Sequence, residues 1–186
     1  MVMKKKTTKK SKTESKIINA VFSGKNATSN STEAKNLYAK SRFGEPVDEK
    51  IQYSLVEALY LIEKKKMEIK EKSKKISARK FKEKIEDIDK KINTNYIVFK
   101  DMRQRGYLVK TALKFGAEFR VYEKGVKPGQ DHAKWILYPV HESDPLTWHE
   151  FSGKNRVAHS TKKNLLIAIV DDEGDVTYYE VKWTKP

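Results

Sequence analysis

The stretch from Arg105 to Trp135, RGYLVKTALKFGAEFRVYEKGVKPGQDHAKW, brings a tyrosine, a Gly/Pro/Gln/Asp loop and a histidine together in a chain of 186 residues with four histidines. Tyr122 and His132, on either side of GVKPGQD, suit a base and an acid, but they equally suit incidental side chains of an ordinary strand, loop and strand. The acid–base reading has a definite chemistry. In metal-free cleavage of RNA the ribose 2′-hydroxyl is itself the nucleophile. The protein then supplies a base to deprotonate it, an acid to protonate the leaving 5′ oxygen, and a cation to stabilise charge on the phosphorane. Histidine suits the acid because an imidazole with a pKa of about 6.5 stays partly protonated near neutrality. Tyrosine, near about 10, becomes a base only where neighbouring positive charge lowers it, and this chain has that charge in abundance. Lysine or arginine supplies the cation.

Residue type alone does not choose among the histidines. His141 precedes an acidic turn, while His149 and His159 stand ten apart on one expected helix, which is not the spacing of ligands on one helix face. A carboxylate-and-metal site has one near match, the E-x-K triplet Glu180, Val181, Lys182 after the acids of residues 171–175, a pattern common by chance in so charged a chain. No glycine-rich phosphate loop, nucleophile elbow or HExxH motif is present.

The partner class follows from charge. Lys and Arg total 40 against 25 Asp and Glu, a net charge of +15. Phosphate neutralisation releases counterions and favours such a surface, so nucleic acid is the expected partner. Heat adaptation accounts for abundant charge of both signs but not for the net excess. The absence of cysteine excludes disulfides, zinc knuckles and thiol catalysis and fits a reducing interior. No apolar run approaches the roughly 18–20 residues of a membrane span, and MVMKKKTTKKSKTESK lacks a signal peptide's apolar region, so the expected location is the cytoplasm.

The elements that must position these residues read as mixed α/β (α+β). Residues 1–16 read as a disordered basic arm, 17–93 as a small N-terminal domain of mixed α/β and 94–186 as a C-terminal domain, with the boundary in polar Lys90–Asn95. IINAVF from Ile17 reads as a strand and GKNATSNST as a turn-rich loop. Ser54 and Glu57 have capping-box spacing and open a helix with Leu55, Leu59 and Ile62 on one face. Met67–Lys70 reads as a brief strand. A helix from Ser77 carries Phe81, Ile85, Ile88 and Ile92, and another, from about Thr94, carries Tyr96, Phe99 and Met102 and stops at Gly106.

Beyond Gly106 the period becomes that of strands. Phe119 and Val121 face the core, Arg120 and Tyr122 face away, and His132 opens the next strand. Thr147 and Glu150 cap a helix to about Ser160, LLIAIV at 165–170 reads as a central strand buried on both faces, and DDEGD at 171–175 turns into VTYYEVKW. The C-terminal domain thus reads as a central mixed sheet flanked by helices. Its acidic turn is a negative knob suited to a basic pocket on a neighbouring subunit.

The segments GYLVKTALKFGAEFRVYEKG (106–125), HAKW (132–135) and RVAHSTKKNLLIAIVDDEGDVTYYEV (156–181) closely resemble the catalytic domain of the archaeal tRNA-splicing endonuclease family, the tRNA-intron lyases, and SLVEALYLI (54–62) resembles a helix of that family's first half. The resemblance implies that residues 94–186 are a C-terminal catalytic domain, restriction-endonuclease-like, and that the chain cleaves precursor tRNA at the bulges of a bulge-helix-bulge, leaving 2′,3′-cyclic phosphate and 5′-hydroxyl ends, with no metal and no other cofactor. It implies Tyr122 as general base, His132 as general acid and Lys163 as transition-state stabiliser, with Lys162 an adjacent rival because the chain reads HSTKK. Arg156 resembles the residue that stacks on a bulge base across a dimer, and Tyr178 stands near where a second stacking residue would be sought. The resemblance also implies assembly, as a homodimer, a homotetramer or a heterotetramer with a structural subunit. Terminal strands such as YYEVKW join edge to edge, and Asp171, Asp172, Glu173 and Asp175 enter a basic groove of an opposing subunit. The competing expectation, a noncatalytic RNA-binding or structural subunit, predicts loss of Tyr122, His132 or Lys163, and all three are present.

Overall fold

The computed structural model describes residues 17–112, 117–126, 129 and 132–184. The basic arm (1–16) and most of the interior of the GVKPGQD loop lie outside the described residues.

β1 (Ile18–Phe22) buries alternate residues Ile18, Ala20 and Phe22, pairing antiparallel with β2 (Ala27–Ser29) and parallel with β5 (Met67–Glu71). With β3 (Glu45–Val47), β4 (Lys50–Tyr53) and β6 (Lys74–Ile76) they form a six-stranded sheet of order β3-β4-β2-β1-β5-β6. The segment read as a turn-rich loop differs: it contains β2, and Ser31 caps α1 (Thr32–Ser41). β2 is three residues long and α1 fully buries Ala34 alone, so neither imposes a periodic signal.

α2 (Leu55–Glu63) has the expected capping box, Ser54 Oγ accepting from Glu57 N at 3.4 Å and Glu57 Oε2 accepting from Ser54 N at 3.1 Å. Its buried set is Val56, Glu57, Ala58, Leu59 and Leu61, with Leu55 and Ile62 partly buried, so the core wraps most of this helix rather than one stripe. α3 (Ala78–Ile88) buries Phe81 and Ile85 but ends at exposed Ile88. Ile92 instead opens α4 (Ile92–Gln104), because Asp89 is extended and its side chain accepts from Lys91 N at 2.9 Å, turning the chain. One apparent helical repeat is therefore two helices. α4 stops where Gly106, at φ 88°, lets Tyr107 N donate to Met102 O at 3.0 Å.

The second sheet has the order β11-β10-β9-β8-β7, from β7 (Leu108–Thr111), β8 (Phe119–Tyr122), β9 (Trp135–His141), β10 (Asn164–Val170) and β11 (Val176–Val181). β9 and β10 are parallel, joined through α5 (Trp148–Ser160), and the other pairs are antiparallel. β9 holds the centre, with β10 beside it rather than central itself. Phe119, Val121, Leu137, Leu166 and Ala168 join the large core that includes α4, whereas Ile136, Leu165 and Ile167 pack with Ala158 of α5. Ring contacts run from Phe43 through Phe99 to Phe119, at 6.5 and 5.9 Å between centroids, so both sheets share one core and β8 is anchored at its end.

α5 carries the second expected capping box: Glu150 N donates to Thr147 Oγ1 at 3.2 Å, and Thr147 N to Glu150 Oε2 at 2.9 Å. Donation to the Glu150 carboxylate from Thr147 N and, at 2.7 Å, from the Thr147 hydroxyl holds that carboxyl below its ordinary pKa. Thr147→Ala is expected to cost about 1 kcal/mol near neutral pH. Because the folded-state pKa is depressed, the part of that contribution carried by the hydroxyl's bond to the Glu150 carboxylate is full above the unfolded carboxyl pKa and fades as pH falls through the folded one, while the cap bond to Glu150 N persists. Urea titrations of both proteins at neutral and acid pH measure the narrowing.

Candidate active site

The register brings three chain segments to one end of the second sheet. Tyr122 is the last residue of β8, Val121 pairs with Trp135 at the start of β9, and Trp135 pairs with Asn164 at the start of β10. Lys134 ties them through its main chain, its N–H donating to Val121 O and its carbonyl accepting from Asn164 N, both at 2.9 Å. Tyr122, the segment after His132, and Lys163 immediately before β10 therefore meet at this end.

Tyr122 faces away from the Phe119/Val121 core, as alternation requires, yet it is only 4% exposed. Burial raises the phenol's pKa, and Glu45 adds to the rise; Arg120 opposes it. The expected depression by surrounding cations is thus reversed, because desolvation of the phenolate outweighs the single arginine. His132 is exposed and precedes β9 instead of opening it.

The end of α5 separates the two rival lysines. Lys162 is exposed at φ 56°, the left-handed residue that closes the helix, while Lys163 N donates back to Ala158 O at 2.9 Å. Lys163 emerges half-buried, its ammonium donating to Thr161 O at 2.7 Å; burial and Arg120 lower its pKa.

Other expected residues lie elsewhere. Arg156 is exposed on α5, one turn before His159, whose ring packs on Trp183 with centroids 4.7 Å apart. Tyr178 donates its hydroxyl to Asp101 Oδ2 of α4 at 2.7 Å, so its ring is committed to the fold rather than open for stacking. Glu180 accepts from Trp135 Nε1 at 3.0 Å and from Asn164, at the end of the β10–β11 ladder opposite the acidic turn; the pieces of the E-x-K reading are thus a ladder's length apart. In the turn, Asp171 bends inward, its carboxylate accepting from Asp175 N at 2.8 Å, while Asp172, Glu173 and Asp175 are exposed.

Residues 18–82 match the family described as tRNA intron endonuclease, N-terminal domain, and residues 92–178 match tRNA intron endonuclease, catalytic C-terminal domain. The chain belongs to the tRNA intron endonuclease family. It is similar to a tRNA-splicing endonuclease of Thermococcus kodakarensis, 41% identical over 149 residues that cover 80% of this chain and 87% of the relative. One from Methanothermobacter thermautotrophicus is 39% identical over 153 residues, covering 82% and 89%, and one from Nanoarchaeum equitans is 44% identical over 146 residues, covering 75% and 93%.

This tRNA intron endonuclease family member carries charged residues around the site that sequence reasoning passed over. Lys110 is 2% exposed on β7, its ammonium donating to Arg42 O at 3.0 Å and to Gly44 O, and lying 3.3 Å from Glu45 and 3.8 Å from Glu57. Glu45 also meets Arg120 at 3.3 Å. Gly44 is required there: a Cβ would stand 2.4 Å from the Ile51 side chain and 2.9 Å from Gln52 O. A lysine in LVKT reads as an exposed strand position, and only its pairing with Arg120 across the ladder marks the cluster.

Proposed function

We propose that the chain is a catalytic tRNA-splicing endonuclease subunit that acts in the cytoplasm on precursor tRNA. It cuts at the bulges of a bulge-helix-bulge junction by metal-independent attack of the 2′-hydroxyl, leaving 2′,3′-cyclic phosphate and 5′-hydroxyl ends. The observation that carries this reading is the meeting of Tyr122, the His132 segment and Lys163 at one sheet end in a chain of net charge +15. Tyr122, as the phenolate, accepts the 2′-hydroxyl proton, the oxygen attacks phosphorus, protonated His132 gives its proton to the departing 5′ oxygen, and Lys163 offsets charge on the non-bridging oxygens. Arg156, planar and exposed, stacks on a bulge base.

The functional unit is an oligomer, a homodimer or homotetramer, or a heterotetramer with a structural subunit, each chain divided into residues 17–93 and 94–186. Two surfaces support assembly. β11 is an edge strand with Tyr179 55% exposed, open to pairing with another strand. A 260 Å³ cleft lined by Lys40, Arg42 and Arg103 offers cations to the Asp172, Glu173 and Asp175 knob of another copy.

The buried Tyr122 phenol favours one rival, a noncatalytic subunit that keeps the fold. Incubating the purified chain with a bulge-helix-bulge RNA in EDTA separates the two. Cyclic-phosphate ends are expected; a 3′-phosphate monoester from the start, or no cut even with candidate partner chains added, would sink the proposal. Lys163→Ala is expected to lose on the order of a hundredfold in rate, and Lys162→Ala to retain most of it.

A further inference from the structure

Arg120 lies two residues before Tyr122 on β8 and therefore on the same face. Its side chain is 29% exposed, and Nη2 meets Glu45 Oε1 at 3.3 Å, while its Nε–H is buried and has no hydrogen-bond partner among the described residues. A desolvated donor without an acceptor is costly to keep, and a guanidinium that spends one donor on a carboxylate keeps others that a phosphate oxygen can reach on the exposed part of the side chain. Glu45 is itself divided, lying 3.3 Å from Lys110 as well. The charges around Arg120 are thus Glu45 from β3, Lys110 from β7, Glu57 from α2 behind Lys110, and Lys163 ahead of β10. Two cations, Lys110 and Arg120, share the Glu45 carboxylate, and the Lys163 ammonium stands close enough to feel the charge of Arg120. Burial and the charge of Arg120 both press the Lys163 ammonium towards losing its proton. An arriving anion would relieve both cations.

We propose that Arg120 is a substrate-contacting residue that binds a non-bridging oxygen of the reacting RNA phosphodiester, and that Glu45 is the positioning residue that aims it from the N-terminal sheet. The inference rests on the reading of Tyr122 and Lys163 as the reacting centre. It gives the first half of the chain a direct part in the site, since the carboxylate orienting the arginine comes from β3 while the arginine comes from β8.

The test uses the full chain, a bulge-helix-bulge RNA and inorganic phosphate as a probe. Arg120→Gln is expected to slow single-turnover cleavage by on the order of a hundredfold, with Arg120→Lys recovering part of the rate because it restores charge without the planar fork. At constant ionic strength, phosphate is expected to raise the melting temperature of the parent protein more than that of Arg120→Gln; phosphate held elsewhere on the basic surface acts on both equally. Glu45→Gln removes a competing anion, so it is expected to strengthen phosphate protection while slowing cleavage. A purely structural ion pair predicts lower stability with phosphate protection unchanged, and that result overturns the proposal, as does cleavage by Arg120→Gln at the parental rate. The underlying reading fails separately: it falls if Tyr122→Phe and Lys163→Ala cleave normally, whatever Arg120 does.

Discussion

His132→Ala is expected to slow cleavage of a bulge-helix-bulge RNA by about 10²- to 10⁴-fold, the range for loss of a positioned general acid, while changing RNA affinity little. The departing 5′ oxygen is a poor leaving group until it is protonated, so the loss falls on the chemical step. His132 is exposed and lies outside both hydrophobic cores, so its replacement leaves the packing of the sheet in place. Single-turnover rates at saturating enzyme, set beside equilibrium binding of an uncleavable 2′-deoxy RNA, separate the two effects. Equal losses in rate and affinity would make His132 a binding or positioning residue instead of the acid.

Lys110→Met is expected to destabilise the fold by about 3–5 kcal/mol, the cost typical of breaking a buried charge pair by removing one partner. The ammonium joins Arg42 and Gly44 of the N-terminal half to β7, and it faces Glu57, which is 4% exposed. Methionine fills the volume but leaves the Glu57 carboxylate without its cation and two carbonyls without their donor. Adding Glu57→Gln should return part of the loss, since the stranded charge disappears with it; the two substitutions share one network and will not add. Urea midpoints of the parent, both single variants and the double variant give the coupling. A Lys110→Met protein within about 1 kcal/mol of the parent would show that the network contributes little.

The features legible in the sequence were those fixed by local chemistry. Ser54 with Glu57, and Thr147 with Glu150, cap their helices as their spacing requires, and Gly106 ends α4 because the left-handed position there favours glycine. The apolar run 165–170 is a strand because its residues are covered on both faces by different layers. What escaped reading is decided by partners far along the chain. α1 is held by little apolar burial of its own, and Ile92 continues the spacing of α3 only by coincidence of two helix phases. Strand alternation placed Tyr122 on the correct face but could not tell that this face is covered. Lys110, Glu45 and Arg120 lie up to 75 positions apart in sequence, and no local pattern announces a network formed only when two sheets meet.

The main-chain bonds of Lys134 hold a further meaning. Because β9 and β10 are parallel, their starts meet only after the chain has traversed all of α5 and returned. Closing such a loop carries an entropy cost before any contact rewards it. The end of the sheet that holds Tyr122 and Lys163 is therefore complete only once the crossover is seated. Pairing β8 with β9 is local in sequence, but it does not by itself bring Lys163 beside Tyr122; that neighbourhood depends on the longest connection in the second sheet.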